Sequence, residues 1–553
     1  MGVEPRKLSV ASRNRFVPRH GLIFIGVAAT FWLVSIAVTI HRVLTFGRGG
    51  FALTYDDVVY ARVGQSLYLG PPDASLLSRF TDWVSNIPHA PVTEFAAFAA
   101  HALPIPAPQS IYVLSSVIAA LLLLALTCVI IENWGARFLL AGILGLSPLG
   151  YVLADEYRPD LWFTLIAAIA LAGNVPYRLG PNRAAVISPT ITALLSLSLI
   201  FIKPSWLALA GGTTIAAGTG AVIASLLQRS DLAPQMRRKW LTAIALYALG
   251  VLIWWVWLRS QFLDYVSAVL KDPYRLSGSG SEAVSESLRG GLAYLQVVGD
   301  LLLPAAAIVA ILLAWALVRT NERSQLLIAI ALSAILPAAA AANLAATWYS
   351  RHPSQFQGLF SLILLVIWIL LLGSTAIRFL IASSAFHLSR RAGAWMTPLA
   401  FLIGLALLVN SPSDLTYPEV TRLPDAPVVA ISNAIAKDCL ENNVCSGNEI
   451  PMRILVGFAE DVNNSGIEYY TNAAGAPTLV AGADMNAISS EQIAAASSDF
   501  DYIVTRSADY PANKLPLNQI QDELTAILKN DSDFQVVQDE GVPPAYVIFR
   551  KRT

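Results

Sequence analysis

The sequence predicts a polytopic α-helical membrane protein with a soluble α/β unit at its C-terminal end. Three observations carry that reading. Hydrophobic residues make up 55% of the 553-residue chain and charged residues 13%, with a mean hydropathy of +0.58, whereas soluble domains carry about 25% charge. Apolar runs of about 20 residues, the length that crosses a bilayer, recur along the first three quarters of the chain. Charge is also unevenly shared: formal net charge is zero, yet from residue 411 onward there are 20 acidic and 9 basic side chains. The membrane part is correspondingly basic, and the acidic tail argues against nucleic acid as a partner.

The elements follow in order. Arg6, Lys7, Arg13, Arg15 and Arg19 precede "GLIFIGVAATFWLVSIAVTI", a basic flank that places the start of the chain in the cytoplasm. The run lacks a small-residue cleavage site and reads as a retained anchor. Later spans are expected near 111–131, 137–153, 161–173, 184–202, 206–227, 241–258, 299–318, 325–345, 358–377 and 397–410, about eleven transmembrane helices in all. Alternating sides from a cytoplasmic start puts "YRLGPNR", "QRSDLAPQMRRKW", "RTNER" and "SRRAG" inside, and Asp56, Asp57, Asp73, Asp82, Glu94, Asp155, Glu156, Asp160, Asp264 and Asp272 outside. That distribution obeys the positive-inside rule. "WWVW" at 254–257 then falls at the outer interface, as an anchor.

Residues 1–410 are thus expected to form a transmembrane domain with long outer loops at 42–110 and 259–298, and residues 411–553 an extracytoplasmic α/β domain. In the first loop, "DDVVYARVGQSLYLG" and "VTEFAAFAAHAL" read as amphipathic helices on the membrane surface. In the second, "LSGSGSEAVSES" reads as a mobile cover. In the tail, "RILVGF", "DYIVT" and "YVIFRK" read as strands and "APVVAISNAIAKDCL" and "LNQIQDELTAILKN" as helices. Cys128 lies in a predicted span. Cys439 and Cys445, six apart, are a disulfide in an oxidising compartment or two free thiols.

Chemistry is expected on the outer face. Asp56 and Asp57 follow the first span, and "ADEYRPDLWF" brings Asp155, Glu156, Arg158 and Asp160 to the same side. Such acids are ordinary solvated loop residues or, facing a shared cavity, ligands for a divalent cation or a general base. Arg158, Lys203, Arg259, Arg351 and His352 stand at outer ends of spans. Singly each reads as a snorkelling residue; together they suit a bound phosphate. His89 of "NIPHAPVTEF" is a surface histidine or a ligand.

An acidic pair in the first outer loop, as in "YDDVVYARVG", followed by "HAP" before the second span, resembles the GT-C membrane glycosyltransferases. Within them it is similar to the protein O-mannosyltransferases and the aminoarabinose or galacturonic-acid transferases. "EYRPDLWFTLIAAIALAG" and "SRHPSQFQGLF" resemble two later segments of that family. One departure is Thr93-Glu94, where the family often has an aromatic residue. The resemblance implies transfer of a sugar from a polyprenyl-phosphate donor to an extracytoplasmic glycan, lipid or protein acceptor. It further implies a first-loop aspartate as base or metal ligand, with Asp56 as the candidate base and Asp57 as its alternate. Asp155 and Glu156 would be ligands of a divalent cation (Mg, Mn or Ca), and Arg158, Lys203, Arg351 and His352 contacts to the donor phosphate. His89 and Asp160 are further candidates. The implied location is a bacterial inner (plasma) membrane, with the active site and tail extracytoplasmic among membrane lipid. No nucleotide-binding motif appears, in keeping with a lipid-linked donor. A transporter or flippase for a lipid-linked or anionic substrate is the alternative, although spans nearly free of charge and the lack of a repeat speak against it. A membrane scaffold displaying its tail is a further one.

Overall fold

A 27-residue helix, α1 (Arg19–Thr45), opens the architecture. A computed structural model of the protein describes residues 19–173, 189–203, 233–271, 279–382, 426–442, 452–456, 462–482, 489–506 and 521–552, apart from isolated positions and short turns within them. Helices α2 (Tyr55–Leu69), α3 (Leu76–Ser85) and α4 (Pro91–His101) follow α1, and then come α5 (Gln109–Ile130), α6 (Trp134–Leu146), α7 (Pro148–Asp155), α8 (Pro159–Gly173) and α9 (Pro189–Ile202). The later helices of this half are α10 (Ala233–Lys271), α11 (Gly280–Leu295), α12 (Val297–Arg319), α13 (Arg323–Ser333), α14 (Ile335–Ser350) and α15 (Gln355–Ala382).

Among the described residues, four stretches are long and apolar enough to cross a membrane: Leu22–Thr45, Gln109–Ile130, Arg323–Ser350 and Phe356–Ile377. The pair α6 and α7, bent by 70°, would make a fifth. The chain is an integral membrane protein. The spans expected near 206–227 and 397–410 lie outside the described residues. Four of the other expected spans are shorter apolar helices, at Pro159–Gly173, Thr190–Ile202, Ile244–Ser260 and Leu303–Arg319. An apolar run marks protein burial as readily as lipid contact. In α8 every residue but Ile166 is buried in the protein.

Three elements between the apolar helices differ from expectation. Helices α2 and α4 form where the sequence placed them, but α2 is no surface helix: Val58, Ala61, Gln65 and Leu67 are buried. Its neighbours are α4 on one side and the tail on the other. The amphipathic surface helix is instead α3, which has no buried residue and exposes Leu76, Leu77 and Val84. The "LSGSGSEAVSES" cover is, from Gly280 on, the start of α11, which packs closely on α15. At that crossing a Cβ on Gly358 would collide with the carbonyl of Ser287, and one on Gly291 with the backbone at Leu359. Two glycines let the helices approach closely, so this segment is a packed element and not a loose cover. Trp254 of "WWVW" is buried while Trp255 is exposed.

The tail folds on a five-stranded sheet. Helix α16 (Pro427–Glu441) is followed by β1 (Met452–Val456), α17 (Asn464–Ala473), β2 (Thr478–Gly482), α18 (Ser490–Ser497), β3 (Tyr502–Arg506), α19 (Gln521–Asn530), β4 (Phe534–Val536) and β5 (Tyr546–Lys551). Strand order is β2-β1-β3-β5-β4. The first three strands are parallel, with Ile454 opposite Tyr502, and β5 runs antiparallel to β3 and β4. Every residue of β3 is buried, as befits a central strand. Cys439 on α16 is buried and disulfide-bonded, whereas Cys128 is a free thiol. Cys445 lies outside the described residues.

Candidate active site

The end of α1 and the start of α2 are joined by a tight turn that passes over α7. A Cβ at Gly47 would collide with the Asp155 carboxylate and the Tyr151 hydroxyl, so only glycine fits. With no side chain in the way, the Arg48 amide donates to Asp155 Oδ1 at 2.7 Å. The Arg48 guanidinium then reaches forward to α2, where Nη1 donates to Asp57 Oδ2 at 3.1 Å. The Tyr112 hydroxyl, from the first turn of α5, donates to the same oxygen at 2.8 Å. The other oxygen, Oδ1, faces Arg158 Nε at 3.5 Å. The Asp57 side chain has no exposure, and those of Arg48 and Arg158 have 8% and 11%.

Four separate segments therefore meet at one carboxylate: the Gly-rich turn, α2, the start of α5 and the link between α7 and α8. Asp57 is offset by the two arginines that face it, which is what lets its charge be buried. Arg158 also lies over the Phe356 ring at 4.4 Å, which brings the first turn of α15 against the site. Beside it, Lys203 Nζ at the end of α9 pairs with Asp160 Oδ2 at the start of α8, at 3.0 Å.

The other expected site residues are placed as follows. Asp56 stands in the first turn of α2, next to Asp57. Arg351 is exposed and caps α14 in the left-handed region, φ 54°. Arg259 is exposed on α10. His89, Glu156 and His352 lie outside the described residues, as does the side chain of Asp56. Among the described residues, no three His, Cys, Asp or Glu side chains gather as a metal site. Asp155 Oδ1 accepts from the Arg48 amide, and its expected co-ligand Glu156 lies outside the described residues. Glu94, the departure from the family pattern, is buried, with its carboxylate accepting from the Ala90 amide and Trp83 Nε1 at 2.9 and 2.8 Å. It fastens the start of α4.

No protein-family model matches the chain, and no curated protein matches it. Solved structures do. It is similar to ArnT from Cupriavidus metallidurans in the apo state at 14% identity and a TM-score of 0.39, covering 96% of this chain and 97% of that one. It is similar to the archaeal oligosaccharyltransferase AglB from Archaeoglobus fulgidus at 12% identity and a TM-score of 0.46, over 97% and 74% of the two chains. A third is the arabinofuranosyltransferase AftD from Mycobacteria, at 15% identity and a TM-score of 0.46, where the likeness spans 95% of this chain and 40% of that one.

Two members of the cluster escaped the sequence reading. Arg48 could have been found: it is a cation just after the first apolar run, nine residues before Asp57. Tyr112 could not, because a tyrosine inside "SIYVLSS" looks like any interfacial aromatic residue.

The tail reaches this site through α17. Arg62 Nη1 on α2 pairs with Glu468 Oε2 at 2.8 Å, and Gln65 Nε2 donates to the Tyr469 carbonyl at 3.1 Å. Burial pushes the Glu468 carboxyl above its ordinary value of 4.5, against the pull of Arg62. The folded state therefore holds this proton to higher pH than the unfolded chain does. The group's contribution to stability is full below about pH 4.5 and is lost as pH rises through the folded-state value. Glu468→Gln is expected to flatten that part of the curve of melting temperature against pH. An unchanged slope would mean that another group sets it.

Proposed function

We propose that this protein transfers a sugar from a polyprenyl-phosphate donor to an extracytoplasmic glycan, lipid or protein acceptor. One observation carries the reading: a fully buried aspartate, held by two arginines and a tyrosine from distant segments, at the ends of apolar helices. A balanced buried ion cluster is seldom the most stabilising filling for such a space. Ionisable groups placed beside the hydrocarbon are functional candidates by default. The Cys439 disulfide adds support for an oxidising, non-cytosolic location of the tail.

In this reading Asp57 orients Arg48 and Arg158, and Asp56, in the same turn of α2, is the base. An acceptor hydroxyl or amine gives its proton to Asp56 as it attacks the anomeric carbon. The bond from that carbon to the phosphate oxygen breaks, and polyprenyl phosphate leaves with the electron pair. Arg158, Lys203, Arg351 and His352 are the proposed contacts to the departing phosphate, which needs fixed positive charge as its own charge develops. His89 and Asp160 are secondary candidates, Asp160 as the partner that positions Lys203.

The test is to offer the purified protein in nanodiscs a panel of polyprenyl-phosphate sugars and to score release of the lipid phosphate. Release with at least one donor is expected. No release with any donor, in the presence of glycan, lipid and peptide acceptors, would remove the reading.

Arg351 offers a separate check. A non-glycine residue in the left-handed region costs about 1 kcal/mol or more. Arg351→Gly is therefore expected to raise the melting temperature slightly while raising the KM for the donor roughly tenfold, the loss of one charged contact to phosphate. An unchanged KM would take Arg351 out of the site.

A further inference from the structure

We infer that Tyr470, in the C-terminal unit, is a positioning residue for the catalytic turn of α2. Its hydroxyl accepts a hydrogen bond from the Leu53 amide at 3.0 Å, across 417 residues of sequence. Leu53 is buried and lies two residues before α2 begins, so this bond fixes the backbone that delivers Asp56 and Asp57. The next two contacts run along the same helix. Residues 468, 469 and 470 are consecutive on α17, and their partners Arg62, Gln65 and Leu53 spread over the approach to α2 and its first three turns.

Asp57 is thus gripped from the membrane side by Arg48, Arg158 and Tyr112, while the backbone that carries it is gripped from the tail side by Tyr470. The tail and the first outer loop share one apolar cluster, in which Tyr469 and Tyr470 lie with Leu53, Tyr60 and Ala61. A rigid element held on two faces keeps a base within the small tolerance that proton transfer requires. The tail is in this sense part of the active site without touching substrate. The catalytic half of this inference rests on the glycosyl-transfer reading; the structural half does not.

Tyr470→Phe keeps the ring and its packing and removes the acceptor. Hydrogen–deuterium exchange is measured on peptides spanning residues 50–60, with peptides from β1 and β3 as the check that the tail is folded. Turnover is measured alongside with the donor panel. Faster exchange at 50–60 alone is expected, together with a kcat lowered roughly ten- to a hundredfold at an unchanged donor KM. Unchanged exchange at 50–60 overturns the inference whatever the activity, and so does an unchanged kcat in an active parent. If the parent transfers no sugar at all, the glycosyl-transfer reading falls and the catalytic role of Tyr470 falls with it, while the exchange result still decides whether Tyr470 holds α2.

Discussion

Asp57→Ala is expected to lower the free energy of unfolding by about 3–5 kcal/mol and to abolish activity with it. The carboxylate is wholly buried, and removing it leaves the Arg48 and Arg158 guanidinium groups facing each other across an empty space. Breaking one side of a buried charge cluster is far more costly than never having built it, because the remaining charges stay desolvated without a counter-charge. The Tyr112 hydroxyl loses its acceptor in the same step. Asp57→Asn is expected to fall between, since an amide oxygen still accepts from Tyr112 but no longer neutralises the arginines. Thermal unfolding in detergent, followed by intrinsic tryptophan fluorescence, reads the difference. A melting temperature for Asp57→Ala within a degree or two of the parent's would show that the cluster does not hold these segments together.

Asp56→Asn should behave in the opposite way. Loss of a general base costs roughly 10²- to 10⁴-fold in rate, so kcat is expected to drop by that factor. The melting temperature and the donor KM should stay near the parent's. The contrast between neighbours is the informative part: one aspartate governs stability and activity together, the other activity alone. Full transfer activity in both Asp56→Asn and Asp57→Asn would leave the fold standing and strike the aspartates from the mechanism.

Several elements could be read directly from residue order. The spans in α1, α5 and α15 are long apolar runs with polar flanks, and bilayer thickness alone fixes their length. Strands β1, β3 and β5 carry β-branched and aromatic residues between turn signals. By contrast β2 ("TLVAG") and β4 ("FQV") are short and were not distinguishable from loop, as was α17 with its Asn, Ser and Gly start. The Gly/Ser segment misled for a definite reason. Glycine serves both flexible chain and close helix crossing, and only the partner helix α15 distinguishes the two.

The site divides in the same way. Asp57, Arg158, Asp160 and Lys203 were legible as charges where an apolar chain can ill spare them, and charge type is a property of each residue alone. Which of them meet was not legible. Arg48 and Tyr112 join Asp57 only because Gly47 lets the turn close over α7 and because α5 starts beside α2.

What the sequence by itself determined is therefore a membrane protein with an α/β tail, because hydrophobicity is a local quantity that acts through solvent. What only the tertiary structure decided is the pairing: Asp57 with two arginines, Lys203 with Asp160, and the tail's α17 with the first-loop helix α2. Those contacts join residues up to 417 apart. They depend on shape and hydrogen-bond direction, and neither leaves a periodic trace along the chain.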